Sequence, residues 1–308
     1  MKLSLIRSPW RGAILGNAGR GRFDDVALRS ELALATTKDM LRFGWKCSAE
    51  QPPSPQPSPP GGGSRIAALV TVALFANAVN AQPCKGTLYL TIDTGNMAPA
   101  IQIADVLKKH DVKATFFIAN EKTVRGDMTL DASWAPFWKR LADEGHAFGT
   151  HTWRHWYFRG DVDADKVRYV PWEKKGGDTL TKAQLCEELE KPNTALKAMT
   201  GRGVDAIWRA PGGRTTPRAL DYAKQCGYTH IHWADAGFLG DELPSDTYPN
   251  QALLDKALKN LRDGDVMMMH LGIWSRKEAF WTMLDPLLSG LRAKSFCFDT
   301  IPNKLRRR

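Results

Sequence analysis

The sequence lacks an apolar run long enough to cross a bilayer, and its main part lacks a charge excess. The apolar run over residues 66–79 is too short for a stable membrane span. The net charge is +10, but residues 82–308 hold 33 Lys and Arg against 28 Asp and Glu, with four of these cations in the last five residues. This near-neutral body argues against a nucleic-acid partner, and we interpret the basic end as a solvated tail.

Residues 1–64 lack the features of a folded domain. They show no sustained periodicity and end in EQPPSPQPSPPGGGS, a composition that cannot build a core. Residues 65–81 resemble a secretory signal, because Arg65 precedes an apolar run that ends in the small-residue site Val79-Asn80-Ala81. We expect translation to begin near residue 65 and the protein to be exported, to the periplasm or the medium. The alternative is a genuine disordered extension ahead of a buried apolar helix, in a cytoplasmic protein.

Cysteines are few, and Cys47 of the five lies in the doubtful extension. The other four, Cys84, Cys186, Cys226 and Cys297, allow three pairings. If the protein is exported, we favour Cys84 with Cys297, since this bond would join the first and last strands of a closed barrel. Cys186 and Cys226 would then pair with each other. Four buried free thiols are the alternative.

Residues 82–308 alternate between strand-like and helix-like segments. The predicted strands cover residues 87–92, 114–118, 146–149, 206–209, 230–233, 265–269 and 295–298. The predicted helices cover residues 98–110, 135–144, 182–199, 217–226, 251–261 and 280–293. This alternation predicts parallel strands with helices outside, in either an α/β barrel or a doubly wound sheet. Functional residues lie at the C-terminal ends of the strands in both.

Five of these strands end in residues that an apolar core disfavours. In chain order the strand ends carry Asp93, then His151 and His155, then Arg209 and Pro211, then Trp233 and Asp235, then His270. A buried carboxylate such as Asp93 is costly unless it is paired. Five such ends on one rim indicate a functional site.

The segment HTWRH places His151 and His155 four residues apart. In a helical turn this spacing directs both imidazoles to one face, where they can bind a divalent metal. For this pair taken alone, two surface histidines are the alternative.

The ordered segments LTIDTG, GHAFGTHTWRH, WRAPGG, HWAD and MMMHLG together resemble the NodB-type polysaccharide deacetylases, carbohydrate esterase family 4. The resemblance covers nearly all of residues 86–300, and GHAFGTHTWRH is similar to the family's G-H-E-x-x-N-H-(S/T)-x-x-H. It implies a deformed (β/α) barrel of seven or eight strands as a catalytic domain over residues 82–308. It also implies a divalent metal, for which we expect zinc.

The resemblance assigns roles to individual residues. The family's catalytic base falls on Asp93, and the arginine that pairs with this base falls on Arg209, with Pro211 after it. The two histidine ligands of the metal fall on His151 and His155. The base would take a proton from water, since a neighbouring guanidinium keeps the carboxylate ionised.

The later motifs supply the residue that protonates the leaving group and residues that line the groove. The histidine that protonates the departing amine falls on His270, behind Met268 where the family has Leu. The aromatic and the Asp that line the groove map to Trp233 and Asp235, and we expect Asp235 to raise the basicity of His270. A backbone N–H near Gly212 is expected to help the metal stabilise the oxyanion.

One position departs from the family pattern. Thr94 stands where the family has an aspartate ligand, and a hydroxyl is a poor ligand for zinc. Asp93 would then become the third ligand, or Asn96 or solvent would complete the shell, or the site would bind no metal. The surviving Asp93 favours an active enzyme, because a decayed site has little reason to keep a buried charge.

Tryptophan indicates a sugar substrate, since indole faces suit the apolar face of a pyranose. We favour Trp153, Trp233 and Trp274 as groove residues, because each is close in sequence to a rim residue. The polar segment 158–181 is either a lid or an inert surface excursion. We expect removal of N-acetyl groups from chitooligosaccharide, peptidoglycan or exopolysaccharide. The alternatives are hydrolysis of other amides or O-acetyl esters, and a carbohydrate-binding relic.

Overall fold

A computed structural model describes residues 83–172 and 175–307 of the chain. The predicted extension over residues 1–64 and the signal-like segment over residues 65–81 lie outside these residues, as does Cys47. Within the described part, no helix is both long enough and apolar enough to cross a membrane.

Within residues 83–172 and 175–307, ten strands and seven helices follow one another largely as the hydrophobic pattern predicts. The strands are β1 Gly86–Asp93, β2 Thr115–Ile118, β3 Ala147–Thr150, β4 Tyr157–Val162, β5 Lys166–Val170, β6 Asp178–Leu180, β7 Ile207–Trp208, β8 Thr229–His230, β9 Val266–His270 and β10 Phe296–Phe298. The helices are α1 Ala100–Lys109, α2 Ala135–Asp143, α3 Lys182–Thr200, α4 Pro217–Gln225, α5 Asn250–Asn260, α6 Leu284–Ala293 and α7 Ile301–Arg306.

Seven of the strands form one curled parallel sheet. The order is β10-β1-β2-β3-β7-β8, and β9 pairs with the other edge of β1. Between β8 and β9 the backbone of residues 234–239 takes the place of a strand, with Ala234 N–H donating to Val266 O at 3.1 Å. The sheet is therefore a deformed (β/α) barrel, the predicted fold class, and a doubly wound open sheet is excluded.

Alternation along β1 explains how a carboxylate comes to lie inside the barrel. Leu88, Leu90 and Ile92 belong to the large apolar cluster that the helices cover, because successive side chains of a strand point to opposite faces. Tyr89 packs in a smaller cluster on the other face, with Phe117 and Ile207. Asp93 lies on the same inner face of β1 as Tyr89, because the two residues are an even number of positions apart.

The strand ends approach one another closely at Gly95. A Cβ atom at this position would lie 2.1 Å from the Gly272 carbonyl oxygen of the loop after β9. Asn96 N–H donates to the same oxygen at 3.0 Å. Only glycine permits this approach, which holds the loops after β1 and β9 together at the rim.

The polar segment 158–181 contains regular structure that we did not predict. Strands β4, β5 and β6 form an antiparallel sheet in place of the expected loop. The alternation of apolar and polar residues that would predict these strands is interrupted by a bulge between Phe158 and Gly160 and by charged residues. Buried Phe158, Tyr169 and Leu180 nevertheless form a second core with Trp208.

The four cysteines form the two favoured pairs. Cys84 is bonded to Cys297 and Cys186 to Cys226, each with a Cα–Cα distance of 5.6 Å. The first bond joins the entry of β1 to β10, and the second joins α3 to the end of α4.

Candidate active site

Asp93 is the buried carboxylate at the centre of the rim. Its Oδ1 accepts a hydrogen bond from Arg209 Nη1 at 2.7 Å, and its Oδ2 lies 3.5 Å from His151 Nε2. Burial alone would raise the pKa of Asp93, but the charges of Arg209, His151 and His270 outweigh it and lower the pKa. The carboxylate is therefore ionised and can accept a proton.

Arg209 is held rigidly for this task. The residue is fully buried, and its guanidinium also donates to Thr91 Oγ1 at 2.8 Å and to the Ile231 carbonyl oxygen at 3.2 Å. It lies over the Phe117 ring, 4.2 Å from the centroid. The structure thus brings together the two residues that the resemblance pairs.

His151 and His155 come together without the predicted helical turn. Residues 151–156 are irregular, and Thr152 and His155 have φ values of 65° and 55°. These left-handed positions fold the loop back on itself, so the two ring centroids lie 4.7 Å apart. The expected proximity is present, but loop geometry produces it and helical periodicity does not.

The hydrogen bonds of His151 select one tautomer. Its Nδ1 lies 2.8 Å from the Arg209 carbonyl oxygen, which can only accept, so Nδ1 carries the proton and Nε2 has a free lone pair. Burial, aided by the charge of His155, lowers the pKa of His151 to about 4 despite the opposing charge of Asp93. A neutral imidazole oriented by a carbonyl is the usual state of a metal ligand.

Glu121 is a site residue that the sequence did not reveal. It lies beyond β2, its Oε1 is 3.0 Å from His155 Nδ1, and 19% of its side chain is exposed. Burial opposes its ionisation, but His155 and the neighbouring hydroxyl of Thr94 lower the pKa of Glu121 to about 2. No motif points to this glutamate, because it reaches the site from a different strand than Thr94.

Asp241, and not Asp235, is the partner of His270. Asp241 Oδ1 lies 3.1 Å from His270 Nδ1, and Oδ2 accepts the His270 backbone N–H at 2.7 Å. Asp235 is exposed in a short turn, so the prediction that it raises the basicity of His270 is wrong. Burial would lower the pKa of His270, but the charges of Asp241, Asp93 and Glu242 raise it to about 10.

A second carboxylate faces the other nitrogen of this imidazole. Glu242 Oε2 lies 3.8 Å from His270 Nε2. Burial, together with the charges of Asp241 and Asp93, raises the pKa of Glu242 against the effect of His270. His270 is thus a protonated donor held by Asp241 on one side, with a titratable carboxyl group on the other.

A cavity of about 300 Å³ opens beside His270. Its lining includes Asn96, Asp241, Arg276 and Trp281. Asn96 does not point to the histidine pair, because its Oδ1 accepts the Ala98 N–H at 2.9 Å. The alternative in which Asn96 completes a metal shell is therefore not supported by this geometry.

The three favoured tryptophans lie in different places. Trp153 lines a surface groove against α3 with Cys186 and Thr194, so its assignment to the catalytic groove is wrong. Trp233 stacks on His232 and lies 5.4 Å from the Arg209 guanidinium. Trp274 is 63% exposed on the loop after β9.

The turn after β7 contributes Pro211 and Gly212 to the same rim. Pro211 is buried, and Gly212 has a φ of 59°. A Cβ atom at Gly212 would lie 3.0 Å from the Tyr157 ring, and Tyr157 packs edge-on against the exposed ring of Trp172. Tyr157 and Trp172 are rim aromatics that the sequence did not single out.

The donor set suits a divalent ion, although it is not closed into a finished site. Within residues 83–172 and 175–307, no three His, Cys, Asp or Glu side chains are already arranged around a metal position. However, His151 Nε2 has a free lone pair, and Glu121 Oε2 is buried without a hydrogen-bond partner. Neutral imidazole and ionised carboxylate are ligands that zinc accepts.

Comparison with known proteins agrees with this fold. The family model described as polysaccharide deacetylase matches residues 80–231. The chain is 25% identical to the peptidoglycan-N-acetylmuramic acid deacetylase of Bacillus subtilis over 270 residues, which is 87% of each chain. It is 22% identical to the chitooligosaccharide deacetylase of Azorhizobium caulinodans over 231 residues, which is 71% of this chain and 94% of the relative.

A similar solved structure is a mutant of a carbohydrate esterase family 4 pseudoenzyme from Bacillus anthracis, with restored enzymatic activity. The TM-score is 0.53 at 22% sequence identity, and the match covers 72% of this chain and 68% of the other. Fold, ordered motifs and family model agree, and the chain belongs to the polysaccharide deacetylase family, carbohydrate esterase family 4.

Proposed function

We propose that this chain is a metal-dependent deacetylase that removes N-acetyl groups from an amino-sugar polymer or oligomer and releases acetate. The observation that carries the proposal is the pairing of Asp93 with Arg209 at 2.7 Å, on the same rim as protonated His270. A carboxylate kept ionised and an imidazolium kept protonated supply the base and the acid of an amide hydrolysis. The deacetylase relatives support this assignment.

Asp93 acts first in the proposed reaction. Arg209 holds the carboxylate in one orientation through Oδ1, so Oδ2 stays available for a proton from the attacking water. A backbone N–H of the turn at Gly212 remains our candidate donor to the developing oxyanion.

The metal would be held by His151 and His155, with zinc as the proposed ion. When bound, a divalent ion polarises the acetamide carbonyl and makes water more acidic. The protein's own contribution is to keep His151 neutral, with its Nδ1 proton on the Arg209 carbonyl oxygen.

His270 acts at the leaving group. Asp241 fixes its Nδ1, so Nε2 is the nitrogen that delivers a proton to the departing amine. Breakage of the C–N bond then yields acetate and a free amino sugar. The exposed rings of Trp172 and Trp274, with Trp233 further in, are proposed to stack on the sugars.

We also propose that the protein is exported. The two disulfides support this, because such bonds persist in oxidising compartments. An exported deacetylase would meet cell-wall or exopolysaccharide substrates.

The test is acetate release from N-acetylglucosamine oligomers by the full-length chain, first stripped with a chelator and then titrated with zinc. We expect release that depends on zinc and is lost in His151→Ala. Substrates bearing only O-acetyl groups distinguish the esterase alternative, which predicts faster release from those.

A carbohydrate-binding relic is the second candidate, favoured by Thr94 at the family's aspartate position. It predicts oligomer binding without acetate release at any zinc concentration. In a relic, Thr94→Asp should create activity, whereas in a working enzyme it should change mainly the affinity for metal.

A further inference from the structure

The carboxylate that is missing at position 94 has a neighbour that can replace it. Thr94 is buried, and its hydroxyl oxygen accepts the Ala119 N–H at 3.1 Å.

Glu121 lies just beyond the end of β2. Its Oε1 contacts His155 Nδ1 at 3.0 Å. Its Oε2 is buried and has no hydrogen-bond partner among the described residues. A buried carboxyl oxygen without a hydrogen-bond partner is costly, so this atom is expected to have a partner in the functional state.

Two other side chains near the histidine pair already have partners. Asn96 Oδ1 accepts the Ala98 N–H, and Asp93 Oδ1 accepts from Arg209. Asp93 Oδ2 faces His151, but Asp93 is also the proposed base, and one carboxylate serves poorly in both roles. Glu121 is a carboxyl group next to His155, and its Oε2 has no hydrogen-bond partner among the described residues.

The geometry points to Glu121 as the carboxylate ligand of the divalent metal, replacing the aspartate that Thr94 displaces, so that the ligand set is Glu121, His151 and His155. This inference rests on the metal dependence in the proposed function. It names a ligand that comes from β2, where the family pattern places one after β1. Metal binding would exchange the contact between Glu121 and His155 for bonds from both residues to the ion.

The test is the affinity and stoichiometry of Zn²⁺ binding to the full-length chain, measured by calorimetry after chelator treatment. Glu121→Gln keeps an oxygen that accepts from His155 Nδ1 but removes the charge. We expect one Zn²⁺ per wild-type chain and an affinity at least 100-fold weaker in Glu121→Gln. The double variant Glu121→Gln with Thr94→Asp should recover most of this loss.

A matched control exists elsewhere in the chain. Glu144 also has a buried Oε2 without a hydrogen-bond partner among the described residues, and this oxygen lies 3.8 Å from His146 Nε2. Glu144→Gln therefore removes a carboxylate from a similar glutamate–histidine pair, and zinc affinity should stay within twofold of the wild type.

The contrary results are distinct. Wild-type affinity in Glu121→Gln overturns the inference, and so does a loss that Thr94→Asp fails to rescue, since Glu121 would then only orient His155. If the double variant does not fold, the visible spectrum of bound Co²⁺ decides. A changed d–d band in Glu121→Gln supports the ligand role, and an unchanged band overturns it.

Activity separates this inference from the proposed function. If zinc binding requires Glu121 but no acetate is released, the ligand assignment is supported and the proposed deacetylase activity is contradicted. If acetate is released at the same rate in Glu121→Gln, the deacetylase activity is supported and the ligand assignment is contradicted. A wild-type chain that binds no zinc overturns the ligand assignment.

Discussion

The pair of Asp93 and Arg209 shows how much one buried charge depends on another. Both side chains are almost inaccessible to water, so neither charge has solvent to stabilise it. The pKa of Asp93 is lowered only because Arg209 and the nearby histidines overcome the effect of burial. Removing one partner therefore leaves an uncompensated charge inside the barrel.

Arg209→Met should cost about 3–5 kcal/mol of the free energy of unfolding at neutral pH. In the wild type, Asp93 has a lowered pKa, so its stabilising effect is present above pH 3.8 and is lost as the pH falls through the folded-state pKa. In the variant, burial raises that pKa, so the deficit should shrink on acidification. Urea unfolding across pH measures this, and Asp93→Asn in the same background should restore part of the loss.

Asp241→Asn should move the alkaline limit of activity to lower pH. Asp241 is the largest of the effects that raise the pKa of His270 to about 10, and the proposed acid works only while it is protonated. The wild-type rate should therefore fall as the pH rises through about 10, and the variant rate should fall earlier. The pH dependence of kcat/KM measures this.

Asp235→Asn is the control for that experiment, because Asp235 is exposed and should leave the alkaline limit where it is. A limit that moves in Asp235→Asn and stays in Asp241→Asn would contradict the assignment of Asp241.

At the scale of elements, the small sheet of β4, β5 and β6 supports the loop that carries the two metal-site histidines. Tyr169 of β5 is buried. Its hydroxyl donates a hydrogen bond to Thr152 Oγ1 at 2.8 Å and accepts one from the Trp156 N–H at 3.1 Å. Thr152 and Trp156 lie within the loop on either side of His155. Strand and loop are therefore coupled through one phenol.

Tyr169→Phe should cost about 1–3 kcal/mol of stability, because it leaves the buried Thr152 hydroxyl and Trp156 N–H without partners. It should also weaken zinc binding, since the left-handed loop loses its support. Tyr222→Phe removes an exposed hydrogen bond to the Asp165 carbonyl oxygen and is the control, with unchanged zinc affinity. Urea unfolding and calorimetry report the two effects, and equal zinc affinity in both variants would contradict the coupling.

At the scale of the whole molecule, two disulfides close loops of very different length. Cys84 and Cys297 are 213 residues apart in sequence, and Cys186 and Cys226 are 40 apart. A longer closed loop removes more entropy from the unfolded chain. The bond between Cys84 and Cys297 should therefore contribute more to stability than the bond between Cys186 and Cys226.

Replacing Cys84 and Cys297 by Ala should lower the free energy of unfolding by about 5 kcal/mol, against about 4 kcal/mol for Cys186 and Cys226, from loop entropy alone. Denaturant unfolding of both double variants under oxidising conditions measures the difference. Under reducing conditions the wild type should lose the contribution of both bonds. A larger loss for the shorter loop would show that loop entropy does not govern these bonds.

The sequence by itself determined the barrel strands, six of the helices and the carboxylate that ends β1. These features depend on local hydrophobic periodicity, which a chain displays before it folds. The ordered motifs also placed Asp93, Arg209, His151, His155 and His270 on one rim, because parallel strands all end on the same side.

Only the tertiary structure decided the partners of these residues. Asp241 and Asp235 are both acidic residues after β8, and the closure of residues 234–239 against β9 brings one to His270 and leaves the other in solvent. Glu121 meets His155 because two loops from neighbouring strands converge, and the sheet of β4–β6 depends on a core shared with Trp208. Local pattern reports which side chains are buried, whereas contacts between loops depend on the closed path of the whole sheet.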